Sequence, residues 1–231
     1  MKRKMQCKWT GAAGLLAAFL LLTLLVKTVD VQPIGPEESV VGLAGLNGWV
    51  HERVGVHLYW YALTDWIGVA ALLTAAGFAG AGLMQLLRRK SLLRVDADLL
   101  VLGVFYLCIM LCYAFFEICI VNYRPVILDE GLEASFPSSH TMLVLCIMGA
   151  AIVQLRQRCN TKTVRILLQT ICTVAIGVTV LGRLISGVHW FTDILAGVLL
   201  GTGLICLYDG AVIALHLQQR KRPRAAKPTV S

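Results

Sequence analysis

Between positions 182 and 193 the chain reads GRLISGVHWFTD, an Arg, a His and an Asp in the order Arg–x5–His–x3–Asp. His189 and Asp193 are four residues apart, so on a helix they share a face one turn apart. A carboxylate at that spacing holds an imidazole ring and favours one tautomer. A long apolar segment follows directly, and ionisable groups at the mouth of a membrane span are costly enough to point to function.

Two other stretches carry matching chemistry. FEICIVNYRPV ends one apolar segment, with Arg124 fixed by Pro125, which stops the helix. Glu117 and Arg124 are seven apart, on nearly the same face and ~10 Å apart along the axis. ILDEGLEASFPSSHT leads into the next apolar segment. There Ser135 or a following serine is placed to cap the helix, Pro137 to fit its first turn, and Ser138, Ser139 and His140 to sit at its N-terminus. The free N–H groups and dipole of such an end bind anions.

Several chemistries compete for this set. A Ser–His dyad within 138–140 fails, because residues one or two apart on a helix point away from each other. Zinc held by His140, His189 and Asp193 has acceptable ligand types, but Arg124 and Arg183 would repel the cation. A transport relay would use ionisable groups near the midplane, whereas these gather at one surface. Phosphate chemistry fits best. Guanidinium forks hold planar oxygen sets, a helix N-terminus adds donors, and two histidines divide the nucleophile and acid roles.

The elements that must position these residues are membrane spans. The 231-residue chain is 58% hydrophobic, with a mean hydropathy of +0.75. Soluble domains hold about 45–50% apolar residues, so this is an integral membrane protein. Six segments are long enough to span: 9–28, 59–87, 98–121, 139–155, 164–182 and 190–217. Together they predict an all-α, six-helix bundle in a single domain over 1–231. The first segment is read as an uncleaved helix rather than a signal peptide.

Charge orients the bundle. Seventeen of the 21 Lys and Arg residues fall at the N-terminus, around 88–94, around 156–165 and in the tail from Arg220 onward. The positive-inside rule then puts both termini in the cytoplasm and Arg124, His140, Arg183 and His189 on the outer side. The net charge of +8 reads as topology rather than nucleic-acid affinity, with a tail suited to anionic lipid. The eight cysteines form no CxxC pair and read as packing residues.

Smaller expectations follow. Residues 42–57, GLAGLNGWVHERVGVH, have an amphipathic pattern suited to an interfacial helix or a connecting loop. Asp65, a lone acid in the second span, reads as support for a neighbouring helix or an Arg. Gly77, Gly80 and Gly82, with Gly197 and Gly201, read as close-packing positions, and Asp209 as an exposed interfacial acid.

YRP at 123–125, PSSH at 137–140 and GRLISGVHWFTD at 182–193 resemble, in order and spacing, the three motifs of the type 2 phosphatidic acid phosphatase (PAP2) superfamily. The resemblance implies a hydrolase of the bacterial membrane lipid phosphatase branch, in the cell membrane with its site outside. Its substrate would be a lipid phosphate or diphosphate; undecaprenyl pyrophosphate is favoured, with phosphatidylglycerol phosphate and phosphatidic acid compatible. It makes His189 the nucleophile that becomes a phosphohistidine, Asp193 its orienting group, and His140 the acid for the leaving group and then the base for water. Arg124, Arg183, Ser138 and the backbone N–H of Ser139 would hold the phosphate oxygens, with no metal or cofactor. The same site could serve a lipid phosphotransferase, or persist in a decayed lipid-binding protein. Ser139 and Gly182 stand where the family usually has Gly and Ser. Glu117 stands where it usually has Lys, and is expected to orient Arg124 or Arg183 and alter substrate preference.

Overall fold

In the computed structural model, residues 1–128 and 131–221 are described. They form seven α-helices: α1 (Lys2–Thr28), α2 (Ala44–Val54), α3 (Leu58–Arg89), α4 (Ala97–Ile118), α5 (Ser139–Arg158), α6 (Lys162–Ile185) and α7 (Phe191–Lys221). All but α2 are long and apolar enough to cross a membrane, as the apolar segments require. Most outrun those segments at their basic ends, because helix geometry continues into the interface after apolar residues stop. The amphipathic piece is a helix, α2. The basic tail expected to meet anionic lipid, at Arg222, Arg224 and Lys227, lies outside the described residues.

α5 is the hub, packed by α3, α4, α6 and α7. Of its apolar window 67% is buried in the protein, against 11% for α3 and for α6. This explains why α5 is the least hydropathic of the six spans: its neighbours are helices, not lipid tails. The outer helices expose Leu73, Leu107, Ile118 and Leu181, a surface suited only to lipid.

α1 lies along α7. Leu16 packs over Gly203, Trp9 over Gly210, and Lys8 Nζ is 2.9 Å from an Asp209 carboxylate oxygen. Asp209 is therefore not the exposed acid expected; it is buried, and the ion pair with Lys8 offsets that burial. The glycine expectations divide. A side chain at Gly197 would meet the Ser138 carbonyl and the Thr141 Cβ at 3.0 Å, and Gly201 sits against Leu145, so α7 approaches α5 closely beside the first turn of α5. Gly77, Gly80 and Gly82 have nothing within 4 Å of a built Cβ and mediate no such packing.

The end of the bundle away from the motifs is tied by polar bonds. Asp96 accepts from Gln85 (2.9 Å), Arg89 (3.0 Å) and Arg158 (3.3 Å). The Gln85 bond, then Arg89, holds its carboxyl below the usual aspartate range. Arg158 also donates to Gln154, which donates to the Tyr208 hydroxyl at 2.7 Å, linking α5 to α7.

Candidate active site

Each motif is set by a local backbone reason. After α4 the chain pairs with itself: Arg124 N–H donates to the Glu133 carbonyl (3.0 Å) and Ser135 N–H to the Asn122 carbonyl (2.9 Å). That pairing turns the Arg124 side chain back over the bundle. Its Nε lies 2.9 Å from a Glu133 carboxylate oxygen, and the side chain is only 12% exposed.

α5 begins at Ser139 with Ser138 as its N-cap residue. The Ser138 hydroxyl accepts from Thr141 Oγ1 (3.0 Å) and makes no cap bond to the backbone, and Pro137 precedes the cap rather than occupying the first turn. Ser138 N–H donates to the Asp193 carbonyl (3.0 Å), which joins two motifs directly. The first N–H groups of α5 have no acceptor within the helix and remain available to an anion.

His189 and Asp193 do not share a helical face, because α7 starts only at Phe191 and His189 sits in the turn before it. Gly187 makes that turn. Its φ of +69° is open to glycine, and a side chain there would strike the Gly55 carbonyl. Asp193, in the first turn of α7, accepts the Trp190 N–H at 2.9 Å through Oδ2, as the acid of a capping box does. The same oxygen lies 3.8 Å from His189 Nδ1, near enough to balance charge but too far for a hydrogen bond.

The connection 30–58 braces this turn. Buried Asn47 of α2 accepts the Thr192 N–H (3.1 Å) and donates to Thr192 Oγ1 (3.0 Å) and the Gly42 carbonyl (2.8 Å). His57 N–H donates to the Ser186 carbonyl at 3.0 Å. Trp190 donates its indole N–H to the Tyr123 carbonyl (2.8 Å), tying the third motif to the first.

Arg183 closes the group from the end of α6. It is fully buried, bonded to the Asp65 carboxylate, with its guanidinium 4.5 Å from the Tyr61 ring centre. Asp65 is thus the partner of an Arg, one of the two supports expected of it. Glu117 does not orient either arginine. Among the described residues their carboxylate partners are Glu133 and Asp65, while Glu117, at the exposed end of α4, lines a cleft with Tyr113 and Ser139. Glu133, Tyr61 and Asn47 carried no signal in the sequence: one sits in an acidic loop, one in an apolar helix, and one in a stretch readable as loop.

Six nitrogens converge here without a protein partner among the described residues: Arg124 Nη1, Arg183 Nε and Nη1, His140 Nδ1 and both ring nitrogens of His189. A buried polar atom left unpaired costs roughly 1–3 kcal/mol, so such a group carries a large unmet demand for an acceptor. Burial, followed by Arg124 and Arg183, lowers the His189 pKa well below the ordinary histidine value of 6.5. The imidazole therefore stays neutral, as a nucleophile must. If His189 is that nucleophile, activity is lost on its protonation, so the acid limb of kcat/KM against pH falls well below 6.5 rather than at it. A stopped assay across pH 4–8, about the range histidine titration spans, reads this limb.

The PAP2 superfamily model matches residues 73–221, and the chain belongs to that superfamily. A solved structure with the same fold is the transmembrane PAP2-type phosphatidylglycerolphosphate phosphatase from Bacillus subtilis. It aligns with a TM-score of 0.62 over 92% of this chain and 98% of that one, at 18% sequence identity. No curated protein sequence matches the chain.

Proposed function

We propose that this multi-pass membrane protein is a lipid phosphatase acting on a phosphate or diphosphate monoester through a phosphohistidine at His189. The observation that carries the reading is the convergence of six buried, unpaired nitrogens from two arginines and two histidines beside a helix N-terminus. Membership of the PAP2 superfamily and the likeness to a lipid phosphatase support it.

Neutral His189 attacks phosphorus, and the bond to the leaving oxygen breaks. His140 gives that oxygen its proton, then takes one from the water that cleaves the phosphorus–nitrogen bond, releasing phosphate and restoring both rings. Arg124, Arg183, Ser138 and the Ser139 N–H hold the oxygens as charge spreads in the transition state. Asp193 balances the charge on His189. The charge distribution supports a site on the extracytoplasmic face with both termini inside. A lipid headgroup would meet the site at the interface while its tail stays among the lipid-facing helices.

The test is phosphate release by the detergent-solubilised protein, in EDTA, from undecaprenyl pyrophosphate, phosphatidylglycerol phosphate and phosphatidic acid. Release from at least one lipid is expected. No release from any of them, or release that stops in EDTA and returns with a divalent metal, overturns the reading.

A further inference from the structure

We propose that one face of α3, formed by Tyr61, Asp65 and Gly68, is the positioning element that aims Arg183 and His140 at the phosphate, with Asp65 committing Nδ1 of His140 to the leaving group. The inference rests on the phosphatase reading and adds to it residues that lie before the family match, which starts at 73.

The three positions are spaced i, i+4 and i+7, a single stripe on the helix. Each touches the site differently. The Tyr61 ring lies under the guanidinium of Arg183 at 4.5 Å and reaches that of Arg124 at 6.0 Å. Asp65 Oδ1 bonds Arg183 Nη2 and lies 3.1 Å from His140 Nε2. At Gly68 the His140 ring rests on the helix itself, since a built Cβ would stand 3.1 Å from its Cδ2 and 3.4 Å from its Nε2.

The donors divide cleanly between this stripe and the centre of the site. Asp65 engages one nitrogen of Arg183 and one of His140. Arg183 Nε and Nη1 and His140 Nδ1 are the nitrogens left unpaired. A phosphate can therefore be gripped while Asp65 keeps its bond to Arg183 and its place beside His140, so the carboxylate is a fixed brace rather than a competitor that must swing aside. An ionised carboxylate 3.1 Å from Nε2 favours a proton on that atom and leaves Nδ1 as the one that exchanges a proton with the leaving group, the logic by which an outer carboxylate sets the working nitrogen of a histidine.

The dependence on leaving group tests this. An alkyl alkoxide needs its proton, whereas p-nitrophenolate departs without one. In Asp65→Asn both substrates lose whatever follows from Arg183, and kcat/KM for a lipid phosphate is expected to fall about 10²-fold further than for p-nitrophenyl phosphate, the scale of general-acid catalysis. Gly68→Ala, which displaces the ring without altering charge, is expected to show the same bias. Equal losses on both substrates in both variants overturn the proposal, because general disruption does not discriminate between leaving groups. So does an Asp65→Asn protein with lower KM and unchanged kcat, the mark of a displaced competitor. A wild-type protein that cleaves neither substrate removes the phosphatase reading itself.

Discussion

Replacing His189 with Ala is expected to lower phosphate release by on the order of 10⁴-fold or more, because on the proposed mechanism the covalent intermediate forms on its ring. The loss should appear without a matching loss of fold. Neither His189 ring nitrogen has a well-aligned hydrogen bond among the described residues, the Ser135 carbonyl being the backbone group beside the ring, which is enclosed near two guanidiniums. Removing it costs at most a poorly aligned contact with the Ser135 carbonyl, and a large loss of activity with a near-native melting curve is the pattern of a residue kept for chemistry. A variant that keeps wild-type turnover would contradict the assignment.

Arg183→Lys is the second large effect, a loss of roughly 10²–10³-fold in kcat/KM, as for removal of one transition-state donor. The charge is kept, so the prediction depends on geometry. Arg183 bonds Asp65 with one nitrogen, lies over Tyr61 with its flat face, and has two further nitrogens free. A lysine ammonium is a compact point charge that cannot face Asp65 and a phosphate in the same planar fork. Arg124→Lys is expected to lose less, because Arg124 is partly exposed and its partner Glu133 lies on a loop. Steady-state kinetics on one lipid substrate compare the two, and equal losses would argue against a special place for Arg183.

How far the site was legible depended on whether a residue's role was local. Arg124, His140, Arg183, His189 and Asp193 were readable because polar groups at span ends are costly and these arrive from three separate connections. Their meeting is expressed in particular bonds, such as Ser138 N–H to the Asp193 carbonyl and the Trp190 indole to the Tyr123 carbonyl. The spans were legible because twenty apolar residues in a row have few other uses. What escaped was pairing at long range. Asp65 was visibly a lone acid, but its position against both Arg183 and His140 arises from α3 packing on α5 and α6. The bond from Asn47 to Thr192 crosses 145 residues, and no periodicity records it. The i, i+4 reading of His189 and Asp193 failed because Gly187 makes a turn that delays the start of α7. Glu117 misled for a similar reason. Its spacing to Arg124 counts only while the helix continues, and α4 ends at Ile118.

The most direct measurement is to mix the protein with a lipid phosphate labelled on its terminal phosphorus, quench within the first turnover, and map the labelled peptide under alkaline conditions, where phosphohistidine survives. The account predicts label on His189, absent from the His189→Ala protein. Label on another residue, or full turnover with no labelled protein at any time, would contradict it.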